Sequence, residues 1–413
     1  MGSEMFSEMS RRLAARGNRR TTVALVSSAL AAWLSGTTDL VAKKKKKKKK
    51  KKKQEPQPAP GGCTPDVTSS TCANRCGAQT NNCGQAVDCG ACGSCSGLKP
   101  DADLRAAVNA TGTGATLTLC EGTWNVGMRV DVDRSMTIRG AGKGKTILDG
   151  NNLMQVLLVG TDAVVTLEDL TITRGRAYDG AGIYVFYGTL YLRNVEVSDS
   201  RASNEGGGIF SNNGTIELHE GTEIHDNTGY NGAGVLTGGG GFTMHGGSSI
   251  TDNVATHIGG GISNFYVNMV FKSGSRISGN RAQLGGGISS YGGSSTLQSG
   301  SVVGGARAED ANVATVDGGG LHGSVFVLEA GSLVTGNEAQ YGGGCYFGEG
   351  CTIRAGARVT GNRAPNGSGV SASPTNMVNV EQGAIVCDNV PLNDQCRRAN
   401  ANCPSTSDGV CPV

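Results

Sequence analysis

Residues 139–150, "RGAGKGKTILDG", come closest in this chain to a catalytic motif. A P-loop turns backbone amides toward phosphates, opens a helix, and needs glycine five residues ahead of Gly144. Arg139 stands there and no helix-forming run follows, so no nucleotide is expected. The carboxylates offer less. Asp131 and Asp133 in "VDVD" point to one side of a strand-like run and read as a surface pair, a weak Ca²⁺ site being the alternative. Glu217 and Glu223 share one repeat but sit on different strand-like runs, a poor match to the paired carboxylates of a glycosidase. With no motif intact, neither a catalytic residue nor a cofactor is expected.

Cysteine is the remaining reactive residue. Seven of the fourteen cluster early (Cys63, Cys72, Cys76, Cys83, Cys89, Cys92, Cys95) and four late (Cys387, Cys396, Cys403, Cys411). Cys120, Cys345 and Cys351 lie between them. An even count clustered at two ends suggests disulfides and an oxidising compartment. The early cluster contains C-x2-C, which also suits zinc, but it lacks histidine and a second well-spaced pair, which favours disulfides. Cys345 and Cys351, in "CYFGEGC", are expected to close a local disulfide, buried thiols being the alternative.

The flanking segments agree with export. Five arginines precede the apolar run "VALVSSALAAWL" (23–34), too short to span a bilayer but suited to a signal-peptide core. "NRRTTVAL" (18–25) resembles a twin-arginine signal, although Asn18 precedes the pair and no phenylalanine follows two positions later. An extracellular or cell-surface location after cleavage is expected. Lys43 to Lys53 form a run of eleven lysines before a proline-rich spacer. Such a block self-repels and stays extended. It reads as a tether, or as a contact with anionic cell-wall polymer or lipid heads at about 1 kcal/mol per lysine. From Gln54 onward 21 basic residues face 31 acidic ones, so the body has no basic face for nucleic acid.

The elements that would position any site are repeats. Glycine boxes begin at Gly180, Gly206, Gly232, Gly259, Gly285, Gly318, Gly342 and Gly367, spaced 26, 26, 27, 26, 33, 24 and 25 residues. This is the signature of a solenoid. One repeat, "GGGIFSNNGTIELHEGTEIHDNTGYNG" (206–232), shows three short apolar alternations separated by turn residues and no helix. Such strands bury their apolar sides only if each repeat closes one coil and pairs in parallel with the next. Asn227, Asn253, Asn280, Asn312, Asn337 and Asn362 fall in register five or six residues before a box, each two before a small residue. They are expected to form a hydrogen-bonded asparagine ladder. The long repeat after Gly285 carries an extra loop at "GARAEDA" (305–311).

The GGGI boxes and terminal x-G-N of "LTITRGRAYDGAGIYVFYGTLYLRNVEVSDSRASNEGGGIFSNNG" resemble those of right-handed parallel β-helix proteins of the pectin-lyase-like group. The nearest likeness is to members with polymorphic outer-membrane-protein-type repeats, over about residues 98–390. The resemblance implies an all-β, right-handed, single-stranded parallel β-helix, and three strands per repeat counted from Leu117 to Val386 give it roughly ten or eleven turns. It implies a short N-terminal capping helix, which 100–110 would supply. In place of barrel strands this sequence ends "CDNVPLNDQCRRANANCPSTSDGVCPV", read as a disulfide-stapled cap on the last coil. The expected organisation is an export signal (1–42), a poly-Lys/Pro linker (43–60), a Cys-rich module (61–97), the β-helix (98–386) and the cap (387–413).

Many proteins of that group cleave uronic-acid polymers. The lyases use a carboxylate cluster holding Ca²⁺ with an arginine that takes a proton; the hydrolases use aspartates, a histidine and a basic pair. Here R-x-P-x-x-R is half present at Arg363–Pro365, because position 368 is Ser, and Gly-His-Gly is absent. Stacked coils align Arg193, His219, His245, Lys272, Gln298, Glu329, Arg354 and Glu381 in one outward column of mixed sign, read as a solvated ladder. The expected function is a non-enzymatic surface or secreted rod that contacts polysaccharide or protein. A polysaccharide lyase or glycoside hydrolase acting on acidic polymer is the alternative. No sequence feature assigns an oligomeric state.

Overall fold

Each repeat turns one full coil, and successive coils lie in parallel register. The computed structural model describes residues 78–80, 86–88, 95–348, 350–372 and 377–390. These fall into two units that divide between Cys95 and Ser96. Of the first unit the described residues are Cys95 and one antiparallel pair, Ala78–Thr80 with Ala86–Asp88. The expected export signal, the poly-Lys run with any anionic partner, the cysteines from Cys63 to Cys92 and those from Cys396 onward lie outside the described residues.

The second unit is a parallel β-solenoid of about ten turns. Its first ladder runs from Thr116–Thr118 to Met377–Val380, eleven strands joined by ten parallel pairings. At about 4.8 Å per pairing this ladder is roughly 48 Å long. A second ladder runs from Gly122–Asn125 to Ile385–Cys387 and a third from Val130–Val132 to Val370–Ala372. Period-two alternation sends Ile216 and Leu218, Ile224, and Ile209 inward from the three faces of one coil, all fully buried. The coils add a feature to the expected three strands. Short segments beginning at Arg176–Ala177 and ending at Val313–Asp317 pair into a separate six-stranded lateral sheet just before the glycine boxes.

The asparagine ladder is present in full and longer than expected. Asn227, Asn253, Asn280, Asn312, Asn337 and Asn362 are all fully buried. The backbone amide and the Nδ2 of each donate to the side-chain oxygen of the next; for Asn253 onto Asn280 both distances are 3.0 Å. Nδ2 also donates to backbone carbonyls, to those of Ile250 and Ser278 in the case of Asn280 and to that of Ile277 in the case of Asn312. Asn389 receives the last link, from Asn362 at 3.0 Å. Ser200 sends its backbone amide to Asn227 at the other end. The residue before a rung turns the corner with positive φ, as Asp226 (55°), Asp252 (56°), Gly279 (71°) and Asp388 (56°) do, except before Asn312, where Ala311 has φ −63°.

The box at Gly285 shows why three glycines recur. Gly285 adopts φ +64°, a Cβ on Gly286 would lie 2.6 Å from the backbone of Val313, and one on Gly287 would lie 2.6 Å from Gly320 O. The neighbours are the next coil's backbone and, for Gly287, the Asn312 side chain at 3.1 Å.

The capping helix is Leu104–Ala110, N-capped by Asp103, whose carboxylate accepts from the amide of Ala106, with Leu104 and Val108 buried. The stretch 139–150 forms two strand ends with a loop between them, Met136–Arg139 and Thr146–Asp149. Lys143, in the loop between them, is 2.7 Å from a Glu223 oxygen and donates to Gly221 O. Cys95, Cys120 and Cys387 are disulfide-bonded. The expected Cys345–Cys351 bridge is not formed. Both are buried thiols at core rungs: Cys345 takes the place held by Leu321 and Val370 in the third ladder, Cys351 that of Phe326 and Val378 in the first. Each packs as a small apolar residue in its own column.

Candidate functional site

The most concentrated chemistry away from the main core lies in a crease between the lateral sheet and the outward side of the third ladder, closed over the buried Glu205, Asn231, Phe210, Leu236, Ser263 and Ser289 and open at Phe186, Tyr187 and Tyr341. The glycine box makes this crease, because its tight bend folds the end of each lateral strand against the start of the next third-ladder strand. One wall is the residue immediately before each box: Glu205, Asn231, Ile258, Leu284, Asp317 and Tyr341 stand in register. Asp179 precedes them one coil earlier. The other wall is the second residue of each third-ladder strand, with Tyr184, Phe210 and Leu236 in one register and Ser263, Ser289 and His322 continuing it.

At the N-terminal end of the crease, Tyr184 stacks on Phe210 at 5.0 Å and meets Phe186 edge-on at 6.1 Å. Phe186 and Tyr187 form a further edge pair at 4.8 Å and stay 38% and 47% exposed. Beside them, Asp179 accepts from Asn204 Nδ2 (2.9 Å) and from the Glu205 amide (3.1 Å). Burial nevertheless raises the Asp179 pKa, those two hydrogen bonds opposing it. Burial also raises the Tyr184 hydroxyl, with Asp179 and Glu205 adding to the effect.

Further along, Ser263 Oγ and Asn231 Nδ2 are buried with no hydrogen-bond partner among the described residues. His257 stacks on Tyr230 at 5.0 Å and shares a hydrogen bond with Asn231 Oδ1 at 3.1 Å. At the far end Ser289 Oγ lies 3.0 Å from His322 Nδ1, and Tyr346 stacks on His322 at 5.8 Å. Burial brings His322 down to about 4, so the ring is neutral at ordinary pH. Burial pushes Tyr291 up to about 12 and Asp317 up to about 6. Ser289 and His322 resemble a nucleophile and its base, but Ser289 is fully buried and no polymer backbone can reach it.

The residues expected to matter are distributed differently. Arg139 and Glu168, which extend the outward column on the first ladder, pair at 2.6 Å, and Glu329 and Arg354 approach to 4.0 Å. Glu217 stands in register between Tyr191 and Thr243, and Glu223 is on another face. Asp131 is held by Arg129 at 2.5 Å. Of these only Asp131 stands in a wall column of the crease, in register with Leu158 and Tyr184 and two coils before Tyr184. The crease residues were missed in the sequence, although a signal was there: a polar or aromatic residue directly precedes six of the eight boxes, at 179, 205, 231, 317, 341 and 366. No family model matches this sequence, and comparison with curated proteins and with solved structures returns no match.

Proposed function

We propose that this chain is an exported, non-enzymatic rod of the pectin-lyase-like β-helix type whose crease holds a neutral polysaccharide. The observation that carries this reading is the juxtaposition of exposed aromatic faces with aligned polar groups. Tyr184, Phe186 and Tyr187 offer flat apolar faces to sugar C–H groups, while Asp179, Asn204 and Tyr184 supply acceptors and donors for hydroxyls beside them. Apolar lining with a few placed polar groups is the usual composition of a binding site. A repeating coil suits a repeating polymer, and the signal-like N-terminus supports display outside the cell. The lysine run Lys43 to Lys53 is proposed as an electrostatic hold on an anionic surface. The half-buried carboxylates of Asp179 and Asp317 border the crease and would repel uronic acids, which favours neutral sugars over the acidic polymers first considered.

Affinity electrophoresis in gels containing a neutral glucan, a mannan or a polyuronate tests this. The neutral gels should retard the protein, and Tyr184→Ala should weaken retardation at least about tenfold, equivalent to about 1.4 kcal/mol. Equal mobility in every gel, or retardation by polyuronate alone, would refute it. A second reading has one observation behind it: Asp179 and Glu205 occupy neighbouring coils, and a glycosidase pairs a proton-holding carboxyl with an ionised one. Release of reducing ends that Asp179→Asn abolishes would decide for the hydrolase.

A further inference from the structure

On the first ladder, away from the crease, two coils bring three metal-ligating side chains together. Glu217 lies on the strand Thr215–Leu218, and His219 follows two residues later on the same side. His245 follows the strand Gly241–Met244, which pairs directly with it one coil on. The Nε2 of His245 is 3.0 Å from Glu217 Oε2, and the Nε2 of His219 is 3.5 Å from the same oxygen. One donor atom from each residue lies within 4.8 Å of the other two. The imidazoles stack at 4.2 Å, and His219 Nε2 is buried with no hydrogen-bond partner among the described residues. All three side chains keep 19–29% of their surface, so the group is shielded yet open on one side.

We propose that Glu217, His219 and His245 form a binding site for a borderline divalent transition-metal ion, Zn²⁺ or Cu²⁺. Bonds of about 2.0–2.1 Å in a tetrahedron put neighbouring ligand atoms about 3.3 Å apart. The two nitrogen–oxygen distances already bracket that edge. The donor atoms of the two rings lie within 4.8 Å of each other, and rotation about χ2 would turn both Nε2 lone pairs toward one ion. Two imidazoles and one carboxylate select Zn²⁺ or Cu²⁺, whereas Ca²⁺ and Mg²⁺ need an oxygen cage. Three protein ligands leave the solvent side for water or a partner's ligand.

Two cations oppose the ion. Lys272 Nζ lies 3.4 Å from His245 Nδ1, and burial, with Arg193 adding to it, disfavours a charged His219. With Lys272 donating to Nδ1, His245 carries its proton on Nε2 and gives it to Glu217. Metal entry moves that proton to Nδ1 and turns Lys272 out to solvent. The lysine thus competes with the metal.

The test titrates ZnCl₂ into the disulfide-intact, chelator-treated protein against a chromophoric chelator. One equivalent should bind. His219→Ala and His245→Ala should each weaken it by more than the roughly 100-fold that loss of a supporting contact costs. Lys272→Met should tighten it, and His225→Ala, on another face, should leave it unchanged. Circular dichroism of each variant checks that the coil is intact, and Cu²⁺ in the same site should show nitrogen hyperfine structure by electron paramagnetic resonance. No saturable binding, parent-like binding by either histidine variant, or weaker binding by Lys272→Met would overturn the proposal.

Discussion

At the scale of single residues, the strongest determinant of this structure is a polar one. An interior rung such as Asn280 satisfies the amide and side chain of Asn253 and the carbonyls of Ile250 and Ser278, all inside a region water does not reach. Asn280→Ala would strip the Asn253 amide and the carbonyls of Ile250 and Ser278 of their partners. Buried groups left unsatisfied cost about 1–3 kcal/mol, so denaturant unfolding of this variant should show a loss of about 3 kcal/mol, with faster exchange at the Asn253 amide. Asp317 works in the opposite direction. Burial lifts its pKa from 3.8 to about 6, so the native state holds a proton that the unfolded chain has released. Stability from this group is therefore full below about pH 4 and lost as pH rises through about 6. The full displacement corresponds to roughly 3 kcal/mol. The group is only half-buried, and screening lowers this to about 1–2 kcal/mol. Melting curves of Asp317→Asn should exceed the parent by that amount at pH 7.5 and converge with it at pH 4.

At the scale of elements, the glycine box is the joint between lateral sheet and third ladder, and so the maker of the crease. Adding a methyl at Gly286 drives it into the backbone of Val313. Backbone cannot swing aside as a side chain can, so the coils must separate there. Gly286→Ala should lose several kcal/mol in chemical unfolding, on the order of the larger core defects. Gly112→Ala has nothing within 4 Å of the new methyl and should be close to neutral. The long repeat shows that a loop can be added without breaking the joint. Its extra residues form a short 3-10 turn, Ala308–Asp310, and Asp310 is tied down by Arg276 at 2.9 Å. Asn280 and Asn312 still meet across the longer connection.

At the scale of the whole chain, period and composition were enough to deduce a coil. Spacing near 26 residues, alternation within each repeat and glycine where coils approach leave parallel stacking as the arrangement that buries every apolar face. The asparagine ladder was legible for the same reason: a residue that must meet its own copy one coil away keeps one sequence register. Asn389 escaped that reading because no box follows it, although "DN" repeats the corner seen at Asp226–Asn227. The Cys345–Cys351 expectation failed because spacing in sequence cannot tell two core rungs from two facing sulfurs. Contacts between different columns were hidden as well. His219 and His245 were placed in one column, but Glu217 belongs to another position of the strand, and only side-chain rotation joins them. The crease depends on the angle at which one glycine bend folds a lateral strand over its neighbour. Sequence alone determined the repeat and its register, because both follow from period and backbone pairing. Tertiary structure decided where polar groups meet, because that depends on the bend between faces and on side-chain direction.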